Sequence, residues 1–251
     1  MPKFFNDQTE EVIQATGPGS IEFSAVRPGE LEELAYTLVG IAVDITGSVM
    51  GFEDLLLECL KESVRGCEKA PRSENLLIRA SQFSSMVGNE EIHGFRLLAD
   101  IDVDQVYQPF NCGGGTPLFD ATEDHLAAIQ TYGEQLFDEE DMDVNAVLFV
   151  ITDGDDNVSR ATPSTIKDRV QSIKKNEKIE SVQIVLIGVN IDDARIKQRL
   201  AEFKDEAELD EYIDAGDASK GTLAKIAGFV SQSVSSTSQA LGSGGPSQLT
   251  F

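Results

Sequence analysis

The chain has 251 residues with 44 acidic and 20 basic side chains, a formal net charge of -24, and 41% hydrophobic residues. That length suits one large domain or two small ones, and the apolar content is enough for a core. The acidity excludes nucleic acid and anionic membranes as main partners, since both require a basic face, and leaves divalent cations and basic proteins open; most of it serves solubility.

The opening MPKFFNDQ lacks the basic start and long apolar core of a signal peptide, and no apolar run is long enough to span a bilayer. Cys59, Cys67 and Cys112 are odd in number and lack C-x-x-C spacing, so neither a disulfide framework nor a zinc site is expected. A reducing, cytoplasmic location is the expectation. Cys59 and Cys67 fall on the apolar stripe of a predicted helix as small hydrophobes. Cys112 adjoins a glycine run and is open to exposure.

Residues 1–35 are irregular, punctuated by Gly17-Pro-Gly19 and Pro28-Gly29, and read as an extended lead-in with room for one added strand. Thr37–Val43 then predicts a strand buried on both faces, because apolar residues run on without alternation until Asp44. A helix over Val49–Cys67 follows, with Phe52, Leu55, Leu56, Cys59, Leu60, Ser63, Val64 and Cys67 three and four apart. Leu76–Phe83 is a second strand. Ile92–Leu98 alternates after the turn at Gly88-Asn89, predicting an antiparallel hairpin partner at a sheet edge. His93 on that run and His125 on a later helix are expected in surface or edge positions, since no acid and nucleophile motif accompanies them.

Asn111-Cys-Gly-Gly-Gly-Thr116-Pro117 is a permissive turn leading into a helix that Thr116 would cap and that runs to Phe137. Asp120 and Asp124 on it are expected to be solvated. The acidic loop Asp138–Asp143 lacks the ligand spacing of a calcium loop. Ala146–Ile151 is a third strand, ending in Thr152-Asp153-Gly154-Asp155-Asp156-Asn157. Thr162-Pro163 starts a helix to Lys175, and Val182–Val189 is another apolar strand. Asn190–Asp193 caps a helix through Phe203, Glu211–Asp214 is a short strand, and a helix from Ser219 places Leu223, Ile226, Ala227, Val230 and Val234 on one face. Residues 236–251 read as a flexible Ser/Gly-rich tail ending in the apolar Leu249-Thr-Phe251.

Alternating strands and helices predict one α/β domain over residues 36–235. Its sheet is doubly wound and mostly parallel, with helices on both faces and one antiparallel edge strand. Right-handed crossovers put the loops after parallel strands at one end, so those carrying Asp44, Thr116 and Asp153 can meet there. Asp44, Thr46 and Ser48 bear only oxygen donors, which suits a hard cation such as magnesium. Each aspartate alone could equally cap a strand end or turn.

Together these residues resemble the von Willebrand factor A domain with its metal-ion-dependent adhesion site (MIDAS). That family has D-x-S-x-S after the first strand, a threonine in a later glycine-rich loop, and an aspartate after the fourth strand. The counterparts here are Asp44-Ile-Thr46-Gly-Ser48, Thr116 in GGGTPLFDA and Asp153 in ITDGDDN, in family order. Thr46 departs from the usual serine but keeps the hydroxyl. The resemblance implies that Thr46, Ser48 and Thr116 offer hydroxyls to a magnesium ion (manganese or calcium as alternatives), with Asp44 and Asp153 acting largely through water. It also implies that a partner protein supplies an aspartate or glutamate as the remaining ligand. The expected role is therefore an adaptor or scaffold module in a cytoplasmic complex, beside an AAA+ ATPase or in a stress or defence system; its oligomeric state is left open. Two alternatives stand beside it: an assembly subunit with a vestigial metal site, and a phosphatase-like hydrolase. The second has little support, because position 46 lacks the second carboxylate of D-x-D-x-T and no lysine completes that set.

Overall fold

The computed structural model describes residues 9–15 and 21–240. Among them one sheet contains β1 (Glu10–Ala15), β2 (Ile21–Val26), β3 (Ala35–Asp44), β4 (Leu76–Ser84), β5 (Gly88–Leu97), β6 (Asp143–Thr152), β7 (Ser181–Gly188) and β8 (Glu211–Asp214). Its strand order is β1-β2-β5-β4-β3-β6-β7-β8. Neighbours from β4 through β3 to β8 run parallel, whereas β4–β5 and β1–β2 are antiparallel. The helices are α1 (Glu53–Cys67), α2 (Val103–Val106), α3 (Leu118–Glu140), α4 (Pro163–Asn176), α5 (Ala194–Glu206) and α6 (Lys220–Ala240). The α/β class and mostly parallel sheet are those expected.

The central strands carry apolar residues on both sides because helices cover both faces. Leu38, Ala42, Leu148 and Val150 share a core with Leu126 and Ile129 of α3. Val39, Ile41 and Val43 share the opposite core with Leu56 and Leu60 of α1 and Ile226 and Val230 of α6. Cys59 and Cys67 are buried there as unpaired thiols, and burial pushes both up to about 12.

β5 does not end the sheet; β2 and β1, from the lead-in, carry it further. Polar groups inside the sheet's flank hold them. Arg79 Nε of β4 donates to Glu91 of β5 at 3.1 Å, and Glu91 accepts from Ser24 of β2 through Oγ at 2.6 Å and the amide at 3.1 Å. Arg96 of β5 pairs with Glu10 of β1 at 2.6 Å. These contacts join residues distant in sequence, so local patterning does not foretell them.

Several other expectations are corrected. α1 starts at Glu53, not Val49, because Gly47–Val49 forms a separate 3-10 turn and Gly51 breaks the path with φ 110°. His93 is buried, its Nε2 2.7 Å from the Tyr107 hydroxyl, and His125 is buried with Nε2 2.7 Å from Ser81 Oγ. Desolvation lowers both rings, to about 4 for His93, so both are neutral core groups. α6 continues past residue 235 to Ala240, with Thr237 and Ser238 buried. Leu249–Phe251 lie outside the described residues.

Candidate metal centre

β3 and β6 are adjacent, with Val43 opposite Ile151, so Asp44 and Thr152 finish neighbouring strands at their carboxyl ends. From β3 the chain goes to β4 on one side while β6 lies on the other. This is the switch point at which open α/β sheets leave a crevice.

Asp44 is fully buried. Its Oδ1 accepts the Thr46 amide at 2.8 Å and its Oδ2 the Thr152 hydroxyl at 2.7 Å. Burial pushes this carboxyl up, opposed by the bonds from Thr46 and Thr152. Ser48 Oγ donates to Asp153 Oδ1 at 2.8 Å and lies 3.1 Å from Thr46 Oγ1. Asp153 is pushed up to about 6, first by burial and then by the Asp44 charge.

Thr116 does not cap α3: Pro117 occupies that position, without a side-chain cap. The Thr116 backbone is instead clamped by Asn157, whose Oδ1 accepts the Thr116 amide at 2.9 Å and whose amide donates to the Thr116 carbonyl at 3.1 Å. Its side chain joins Ser48 and Asp153 in lining a cavity of about 540 Å³, walled further by Gly154–Asn157, Ile196 and Arg199. Ser48, Thr116 and Asp153 thus share one crevice, while Thr46 and Asp44 are buried next to it, Thr46 Oγ1 3.1 Å from Ser48 Oγ and Asp44 bonded to the Thr46 amide.

Backbone bonds lock the surrounding loops. Gly47 donates to the Gly114 carbonyl at 3.1 Å, Gly113 to the Ile45 carbonyl at 2.9 Å, and Ser85 to the Gly115 carbonyl at 2.9 Å. Gly114 has φ 82°, a left-handed conformation that favours glycine. Asp120, expected in solvent, accepts the amides of Arg160 at 3.0 Å and Ala161 at 2.8 Å. Asp156 accepts the Phe119 amide at 3.3 Å and Ser159 Oγ at 2.5 Å. Both pin the loop after β6 to the start of α3. Asp124, also expected in solvent, is pushed up to about 6 by burial and lies 3.4 Å from Asn89. Thr152, Asn157 and the Ser85 turn are the supporting parts that the sequence pattern left unassigned. Thr152 stood at a strand's polar stop, but nothing local marks the reach of Asn157 to Thr116.

Among the described residues no group of three or more His, Cys, Asp or Glu side chains forms a metal cluster. The donors here are two carboxylates and three hydroxyls. They fit a small hard cation that retains water, and the neighbouring Asp44 and Asp153 charges are of the kind a cation relieves.

Asp153 also bears on stability. Its ordinary value is 3.8, so between about 4 and 6 the folded protein holds a proton that the unfolded chain releases. Stability from this group is therefore highest at low pH and declines as pH rises through that window. In metal-free protein at pH 7, Asp153→Asn is expected to gain ~1–2 kcal/mol and a few degrees in Tm. The gain should vanish near pH 4. Calorimetric scans in EDTA at both pH values check this; equal melting of variant and wild type at pH 7 would contradict it.

No protein-family model and no curated protein matches the sequence. Solved structures do resemble the fold. SpaC, a pilus adhesin of Lactobacillus rhamnosus GG in an open conformation, has TM-score 0.59 at 12% identity, over 94% of this chain and 35% of SpaC. The PilB minor pilin of Streptococcus sanguinis has TM-score 0.55 at 13% identity, over 92% of this chain and 68% of PilB. Proximal thread matrix protein 1 of the mussel byssus, with a zinc-occupied MIDAS motif, has TM-score 0.52 at 16% identity, over 82% of this chain and 47% of that protein. This chain thus spans about a third of SpaC and about half of the mussel protein. At these identities the likeness establishes the α/β fold.

Proposed function

We propose that the chain is a metal-dependent protein-binding module in which Asp44, Thr46, Ser48, Thr116 and Asp153 hold a magnesium-type cation open to a partner's aspartate or glutamate. The observation carrying this reading is the continuous link from Thr46 through Ser48 to Asp153 beside the anchored Asp44. Hydroxyls would meet the ion directly and the carboxylates largely through water, leaving positive charge for an incoming carboxylate to neutralise. Oxygen donors favour magnesium, with manganese or calcium as substitutes.

An adhesive or scaffolding role, rather than catalysis, accords with the adhesin, pilin and matrix proteins of similar fold. Asp44 also makes a poor nucleophile: it is buried and both of its oxygens are already bonded. The module is placed in a cytoplasmic complex, of the kind that houses an AAA+ ATPase or serves a stress or defence system; an odd number of cysteines without paired spacing suits a reducing setting. Among the described residues no helix is long and apolar enough to cross a membrane.

Isothermal titration of magnesium into metal-free protein tests the reading. One site is expected, weakened roughly tenfold or more by Ser48→Ala; Ser48 is exposed, so the fold should tolerate the change. A wild-type chain that takes up no magnesium, manganese or calcium would overturn the proposal.

A further inference from the structure

The loops around the metal centre expose apolar side chains. Met50 is 64% exposed, Met86 62%, Val158 48% and Val87 38%. They follow β3, β4 and β6 and so share the carboxyl end of the sheet with the site. Among the described residues the other exposed large hydrophobics lie away from it: Val12 in β1, Leu34 just before β3, and Phe137 in the last turn of α3. Isolated exposed hydrophobics are ordinary, whereas several around one polar centre mark an interaction surface.

The glycine loop before Thr116 lies against two of them, Met86 and Val158. A Cβ on Gly113 would lie 2.6 Å from Met86 Sδ, one on Gly114 3.1 Å from Met86 Cγ, and one on Gly115 3.2 Å from Val158 Cγ1. On the far side of the loop, a Cβ on Gly47 would lie 4.0 Å from Met50 Cε and 3.6 Å from the Gly114 carbonyl. Met86 and Val158 therefore pack on the bare backbone of the loop that leads to Thr116, and Met50 lies near Gly47, the neighbour of Ser48. Methionine's flexible thioether adapts to varied apolar partners.

The chain's acidity argues at first for basic flanks on the ligand. The nearest carboxylates, however, are already engaged. Asp155 pairs with Arg199 at 2.6 Å, Asp156 with Ser159 and the Phe119 amide, and Glu53 with the Gly51 amide. Arg199 itself puts a cation on the crevice wall. Beside exposed polar residues such as Ser85 and Asn157, the rim leaves Met50, Met86, Val87 and Val158 uncovered.

We infer that this face docks a protein segment whose metal-bound Asp or Glu is flanked by apolar side chains, received by Met50, Met86, Val87 and Val158. This rests on the metal-binding reading above and adds the chemistry of the partner. Covering the centre with apolar groups excludes water and strengthens the cation–carboxylate contact, as a dry interface core does.

Short fluorescent peptides with a central glutamate test it, flanked on both sides by Leu/Phe, by Ser/Gly or by Lys. Anisotropy is read against the full chain in saturating magnesium. Leu/Phe flanks are expected to bind roughly tenfold tighter than Ser/Gly flanks. The double variant Met50→Ser/Met86→Ser should lose that preference while its magnesium affinity, by calorimetry, stays unchanged. Absence of flank preference, preference for lysine, or no peptide binding while magnesium titrates normally overturns the inference. So does magnesium-driven self-association that blocks the peptides, which would put a second copy on this face. If magnesium is not bound at all, the metal reading fails separately. The same peptides in EDTA then decide: a flank preference abolished by the double variant supports the apolar surface, and equal binding overturns it.

Discussion

Asp44→Ala is expected to reduce magnesium affinity roughly a hundredfold, the top of the range seen when metal-supporting groups are removed. Asp44 contributes charge and also fixes the geometry of two strands, since it joins the Thr46 amide beyond β3 to the Thr152 hydroxyl at the end of β6. Truncation leaves the Thr46 amide without that acceptor in a buried site, at a cost of about 1–3 kcal/mol. Thr152 keeps the Gly154 carbonyl as a partner at 3.0 Å, which limits the damage. Asp44→Asn separates the effects, because its amide oxygen can still accept one of the bonds while the charge is gone. Calorimetric titration with a parallel urea melt is the measurement. An alanine variant that is destabilised yet binds magnesium like wild type would reduce Asp44 to a structural cap.

Gly94→Ala is expected to destabilise by about 4 kcal/mol or more, among the largest effects of a single added methyl. A Cβ there would overlap the Ser24 carbonyl, and backbone cannot yield as a flexible side-chain end can. The ladder between β2 and β5 is the single bridge Ala25–Phe95, so the join leans on the Ser24–Glu91 bonds beside it. The overlap would also disturb the Ser24–Glu91 bonds and leave Arg79 with a loosened counterion in the interior. Hydrogen exchange should show β1 and β2 losing protection before the central strands do. Gly228→Ala is the control: nothing lies within 4 Å of its Cβ, and in α6 it should stabilise by ~0.5–1 kcal/mol. Unaltered protection of β1 and β2 in the Gly94 variant would rule out this account.

The central sheet was legible because β3, β6 and β7 are buried on both faces and so carry unbroken apolar runs. The three site segments were legible because parallel topology brings such strand ends together. The flanking strands β1 and β2 were only half legible: the lead-in left room for one added strand, and the structure has two. Their attachment depends on Arg96–Glu10 and the Arg79–Glu91–Ser24 chain, in which charged residues do what apolar residues do elsewhere. His93 and His125 were misplaced for a related reason. Residue type favoured the surface, but Tyr107 and Ser81 supply partners that let neutral imidazoles sit in the core. Thr116 looked like a helix cap because a threonine before a proline has that signature; the clamp from Asn157 overrides it through a contact no window of sequence contains.

The loops around the crevice hold one another by main-chain bonds, Gly47 to Gly114, Gly113 to Ile45 and Ser85 to Gly115. Any residue with a free amide and carbonyl can make such bonds, so the frame places few demands on Met50, Met86, Val87 and Val158. Those positions can diversify, by selection or by design, without rebuilding the centre beneath them. The molecule thereby separates a fixed grip from an interchangeable fingertip.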